Sequence, residues 1–111
     1  MLTPAPLARP APPVIAFDRV ELGVILSLYG RMVAAGEWRD YAISFLTDVA
    51  VFSIFRRAAE TPIYRIEKRP KLRGAQGQYL VLGMDGRILR RGHDLRQVLR
   101  VLERALIRTV D

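Results

Sequence analysis

The central part of the chain alternates with period two and is bracketed by two segments of helical spacing. That arrangement predicts an α+β fold in the order α-β-β-β-β-β-α, an antiparallel sheet of hairpins with two helices packed on one face. Three observations carry the reading: the alternation in DYAISFLTDVAVFSIFRR, the Asp85-Gly86 turn dipeptide, and helix-entry signals at Asp18 and Asp94.

The first helix opens with Asp18 as N-cap, Glu21 three residues on to complete a capping box, and Phe17 placed to staple onto Leu22. It is expected from Arg19 to about Ala35. Val24, Ile25, Leu28, Tyr29 and Met32 share one face, and Gly36 suits the C′ position. Gly23 and Gly30 are poor helix formers, so they are expected to mark a close approach to another element. Next comes a hairpin turning at Thr47 and Asp48. Setting Leu46 opposite Val49 gathers Tyr41, Ile43, Phe45, Ala50, Phe52 and Ile54 on one apolar face. The other face, with Ala42, Ser44, Val51, Ser53 and Phe55, is only half polar.

After Pro62, Ile63 to Lys68 reads as a third strand, with Tyr64 and Ile66 inward and Arg65 and Glu67 outward. RPKLRGAQG then reads as an exposed basic loop. Gln78 to Gly83 and Arg87 to Arg91 form the second hairpin. The last helix, capped by Asp94 with Gln97 as partner, is expected to run to about Thr109 on a stripe of Leu95, Val98, Leu99, Leu102 and Leu106. No internal repeat is visible.

At 111 residues there is room for one domain. Residues 1 to 16 hold five of the seven prolines, which predicts a disordered Pro-rich tail ahead of a single domain at 17 to 110. A PxxP-type binding peptide is the alternative to a mobile leader there, but such a pattern is common by chance and the mobile leader is the favoured reading. Half the residues are hydrophobic and 26% are charged, a globular balance. The absence of cysteine excludes disulfides, thiolate metal sites and a Cys nucleophile. The N-terminus has no basic n-region, and no stretch reaches eighteen uncharged apolar residues, so a cytoplasmic protein with no membrane span is expected.

The net charge is +7, and sixteen of the eighteen basic residues are Arg. Such an excess points to phosphate-bearing partners. Codon bias toward GC competes as a source of the arginines, because Ala, Pro and Gly are also abundant.

LYGRMVAAGEWRDYAI, PIYRIEKRPKL and RILRRGHDLRQVLRVL together resemble a small bacterial family found mainly in alphaproteobacteria, domain of unknown function 2794. The likeness covers about Phe17 to Arg108. It implies a cytoplasmic bacterial protein and brings no activity, cofactor or catalytic residue to transfer.

The densest cation cluster is Lys68, Arg69, Lys71 and Arg73, which could lay several charges along a phosphate backbone or form a solvated connector. Arg96 and Arg100, continued by Arg104 and Arg108, form a stripe opposite the leucines, suited to phosphate contact or to covering the helix back. Arg90, Arg91 and His93 stand where a strand feeds a helix N-terminus, a place that can hold an anion. His93 alone makes no catalytic or metal site, and it reads more simply as ordering the cap.

Trp38, within Glu37-Trp38-Arg39-Asp40, is either a recognition patch or a core-closing residue. Tyr64 and Tyr79 could stack bases, or pack within the sheet. Val51 and Phe55 are the candidates for docking a protein on the second sheet face. No phosphate-binding glycine motif occurs. The expectation is a non-enzymatic domain without cofactor, metal or small-molecule substrate, binding nucleic acid, structured RNA foremost, through the basic loop and the start of the second helix. A protein partner or a second copy on the half-apolar sheet face is the alternative. The element order resembles that of double-stranded-RNA-binding domains, but the extra hairpin and the missing Lys-rich helix start separate it from them.

Overall fold

The computed structural model describes residues 13–57 and 61–110, with side chains as far as residue 104. The order is α1 (Arg19–Ala34), β1 (Asp40–Phe45), β2 (Ala50–Phe55), β3 (Tyr64–Lys68), a 3-10 turn (Pro70–Leu72), β4 (Tyr79–Gly83), β5 (Ile88–Gly92) and α2 (Leu95–Val110). The five strands form one antiparallel sheet in chain order. The expected fold class is the observed one. Most of the expected tail, residues 1–12, lies outside the described residues, as do the Leu106 and Arg108 side chains. Just ahead of α1, Ile15 N–H donates to Leu46 O at 2.8 Å and ties the chain to the β1–β2 turn.

The capping box of α1 is complete: Glu21 N–H donates to Asp18 Oδ1, and Asp18 N–H to Glu21 Oε1, both at 2.8 Å. Ile25, Leu28 and Met32 bury the inner stripe, with Val24 and Tyr29 packed beside it. The hairpin register is the expected one, Tyr41 opposite Ile54 and Phe45 opposite Ala50. Tyr41 stacks on Phe52 with ring centroids 4.8 Å apart. In the second hairpin Gly86, at φ 84°, supplies the left-handed turn residue, and a register shift beside Val81 and Leu82 leaves Leu89 as the extra residue of a bulge.

The helices cover the centre of the sheet but not all of it. Five strands span roughly 19 Å, whereas paired helix axes sit only about 10 Å apart. Tyr41 and Phe45 on edge strand β1 therefore keep substantial exposure although they belong to the apolar face.

Both helix N-termini lie at one end of the sheet. Glu21 of α1 reaches Lys68 and Tyr79, and Tyr79 pairs with Gly92, from which the chain enters α2. The helices run side by side in the same direction, and Arg31 meets Glu103 farther along at 3.3 Å.

Two glycine expectations change. Nothing lies within 4 Å of where a Cβ would stand on Gly23 or Gly30, so neither marks a close approach. The close approach is at Gly77, at φ 98°, where a Cβ would lie 2.2 Å from the Gly92 carbonyl carbon. Gly23→Ala and Gly30→Ala should each raise stability by about 0.5–1 kcal/mol in chemical denaturation, since each puts a better helix former on an open face. Gly77→Ala should instead lower the melting temperature markedly, because backbone must move to admit the methyl group.

Candidate nucleic-acid interface

The strand pleat distributes the cations. Lys68 follows Tyr64 and Ile66 on the helix-covered face and does not join the exposed loop. Its Nζ sits 2.7 Å from Glu21 Oε1 and 3.0 Å from Ala16 O, with 13% of the side chain exposed. Tyr79 OH donates to the other Glu21 oxygen. One carboxylate, in a residue only 7% exposed, thus caps α1, pairs with a lysine from β3 and accepts a phenol from β4. As a phosphate-binding cation Lys68 is a correction, because its charge is spent inside the domain. Tyr79, considered as a base-stacking platform, is buried in the same network.

Arg69 falls on the other sheet face. Its Nε lies 2.8 Å from Glu67 Oε1, while Arg65 Nε approaches Oε2 of the same carboxylate at 3.8 Å. The two guanidinium groups bracket Glu67, which is buried between them, and Arg65 Nε is enclosed without a hydrogen-bond partner. Among the described residues no helix covers this face. Val51 and Phe55 on it are half-buried, whereas Leu80, opposite Glu67, is only 3% exposed. The centre of the face is therefore an Arg-Glu-Arg row rather than an open apolar platform.

Arg90 pairs with Val81 on the helix face and Arg91 with Leu80 on the opposite face, so the pleat separates these two neighbours. Lys71 remains 81% exposed and meets Asp48 at 3.0 Å. Arg73 donates to Gln78 Oε1 at 3.4 Å and lies close enough to Tyr79 to act on its ionisation. His93 is exposed ahead of α2. Asp94 Oδ1 accepts from Gln97 N–H at 3.3 Å, so the start of α2 is occupied by the chain's own carboxylate, as Asp18 occupies that of α1. Trp38 is 4% exposed and packs against Tyr29 and Tyr64, with ring centroids 6.1 and 6.3 Å away. It closes the core and offers no aromatic face to a partner.

Arg96 and Arg100 do converge with a third arginine. They line a groove of about 240 Å³ between the helices, together with Val24, Ser27, Leu28, Arg31, Leu99 and Glu103. Three guanidinium groups face one carboxylate there. The Arg96 and Arg100 backbones are one turn, about 6 Å, apart along α2. Arg31 was not a candidate, because its partner Glu103 is 72 positions away and the pairing depends on the parallel packing of the helices. Arg96 also borders a cleft with Tyr79, Asp18 and Asp94, which brings it to the end of the sheet where Arg73 stands.

The family model described as Protein of unknown function (DUF2794) matches residues 15–99. The chain belongs to this family. No curated protein and no solved structure matches it. The matched span takes in α1, all five strands and the first turn of α2 with Arg96, Leu99 and the Glu21 network. Among the described residues there is no group of three or more His, Asp or Glu placed to hold a metal, and no helix is long and apolar enough to cross a membrane.

The shared carboxylate gives two expected outcomes. Lys68→Met should cost about 3 kcal/mol in urea denaturation, because it strands Glu21 in the interior. Burial first, and the Glu21 carboxylate second, push the Tyr79 phenol well above the ordinary tyrosine value of about 10. A pKa raised on folding stabilises fully below the unfolded value and less above it. Stability measured from pH 9 upward should accordingly begin to fall near about pH 10, and the Tyr79→Phe protein should lose this part of the alkaline dependence.

Proposed function

We propose that this domain binds nucleic acid, structured RNA foremost, through the helix layer. Arg96 and Arg100 of α2 and Arg31 of α1 form the centre of the contact, and Arg73 and Lys71 extend it at the end of the sheet. The observation that carries the reading is the groove between the helices, where three arginines face the single carboxylate of Glu103. Guanidinium groups held in a shallow groove suit phosphate oxygens, which accept two parallel N–H donors from each. The rest of the surface is consistent with backbone contact more than with base reading. The two candidate stacking rings, Tyr64 and Tyr79, both belong to the helix-covered face, half-buried and buried respectively.

Binding of a labelled RNA hairpin over a salt series tests this. With three phosphate contacts the affinity should fall by about fortyfold between 50 and 200 mM salt. The Arg96→Glu/Arg100→Glu protein should lose at least tenfold in affinity at low salt, while Arg65→Gln, on the opposite sheet face, should leave binding unchanged. RNA binding indifferent to salt and to the helix-layer substitutions would sink the proposal. A protein partner retained at high salt, and lost on substitution of Val51 and Phe55, would assign the function to the open sheet face instead.

A further inference from the structure

A second group of arginines gathers at the opposite end of the domain. The β1–β2 register ends at Asp40 opposite Phe55, and Arg39 N–H donates to Phe55 O at 2.9 Å, so Arg39 and Arg56 both stand next to the last pair of the hairpin. Arg57 joins them. The three line a cleft of about 440 Å³ with Val33, Gly36 and Trp38, and no carboxylate is among its lining residues within the described part of the chain.

Several nearby acceptors are already engaged within the chain. The Arg31, Val33 and Met32 carbonyls near the end of α1 take the N–H groups of Ala35, Gly36 and Glu37. Asp40 Oδ1 accepts from Tyr41 N–H. Among the described residues none of the three arginine side chains makes an ion pair or a hydrogen bond, in contrast to Arg31, Arg69 and Lys71. Three positive charges lining one concave surface, with the edge of the buried Trp38 beneath them, favour an anion there.

We infer that this cleft is a binding site for a phosphomonoester dianion. Three guanidinium groups arranged around a hollow can meet all the oxygens of one terminal phosphate, and the volume leaves room for the group that carries it. The site is independent of the helix-layer groove: Val33 and Arg31 stand on opposite flanks of α1, and no residue lines both. The dianion can come from a free phosphorylated metabolite or from the 5′ end of a nucleic-acid strand.

Trp38 is the sole tryptophan and borders the cleft, so its fluorescence reads occupancy directly. Inorganic phosphate, adenosine monophosphate, and an oligoribonucleotide with or without a 5′-phosphate would be titrated at constant ionic strength against chloride. A saturable change with adenosine monophosphate, absent with chloride and weakened at least tenfold in Arg39→Gln/Arg56→Gln, is the expected result. The Arg96→Glu/Arg100→Glu protein should keep this response, which separates the site from the RNA groove. A 5′-phosphorylated strand that binds more tightly than adenosine monophosphate marks a strand end as the source, and equal or weaker binding marks a free phosphomonoester. Unaltered response in Arg39→Gln/Arg56→Gln with a melting temperature equal to that of the parent protein, or no saturation with any phosphate probe, overturns the inference.

Discussion

The Glu21 carboxylate is the point on which the domain is assembled. It completes the cap of α1, neutralises Lys68 and accepts the Tyr79 hydroxyl, so the first helix, the central strand and the fourth strand share one buried acceptor. A carboxylate so placed is costly to bury unless each partner is present. Here all are, and they come from three elements that meet only when the fold is complete. The network also sets the relative position of the helix N-termini, and through it the groove that brings Arg31 beside Arg96 and Arg100.

Both helices start at the same end, and their partial positive charges add there. Asp18 and Asp94 supply the answering negative charge from within the chain. The N–H groups of the two helix starts are consequently taken by the chain itself and not open to an outside anion. The unanswered positive charge lies along the flank of α2 and at the far end of the sheet. Charge excess in the composition thus becomes chemically meaningful only after the internal pairs have been taken out of it.

Much of the fold was legible because its signals are local. The Asp18-Glu21 box, the Leu46–Val49 register and the Asp85-Gly86 turn each rest on residues within a few positions of one another, and each holds in the structure. The strand alternation that put Tyr64 and Ile66 inward also implied that Lys68 points inward, but the density of cations around it made the loop reading more attractive. Its partner Glu21 lies 47 positions away and already had a local explanation as a capping residue. The Gly23 and Gly30 reading failed because a glycine's chemistry does not distinguish a needed close approach from an open face. Arg39 and Arg56 flank the last pair of a hairpin whose register was legible, whereas the Arg31–Glu103 contact depends on helix packing that no local pattern encodes.

A sheet whose strands are ordered as they occur in the chain asks little of the folding search. Each strand pairs with the one just made, so the entropy lost on closing each loop stays small. The exception is α2, which packs over β4 and β5 and must find α1, the element formed first. Leu95, Val98, Leu99 and Leu102 join the core only at that step. Until then one side of the nascent sheet faces water, and a ribosome still holding the last thirty or so residues in its tunnel would hold a half-covered meander with its apolar side open to chaperones.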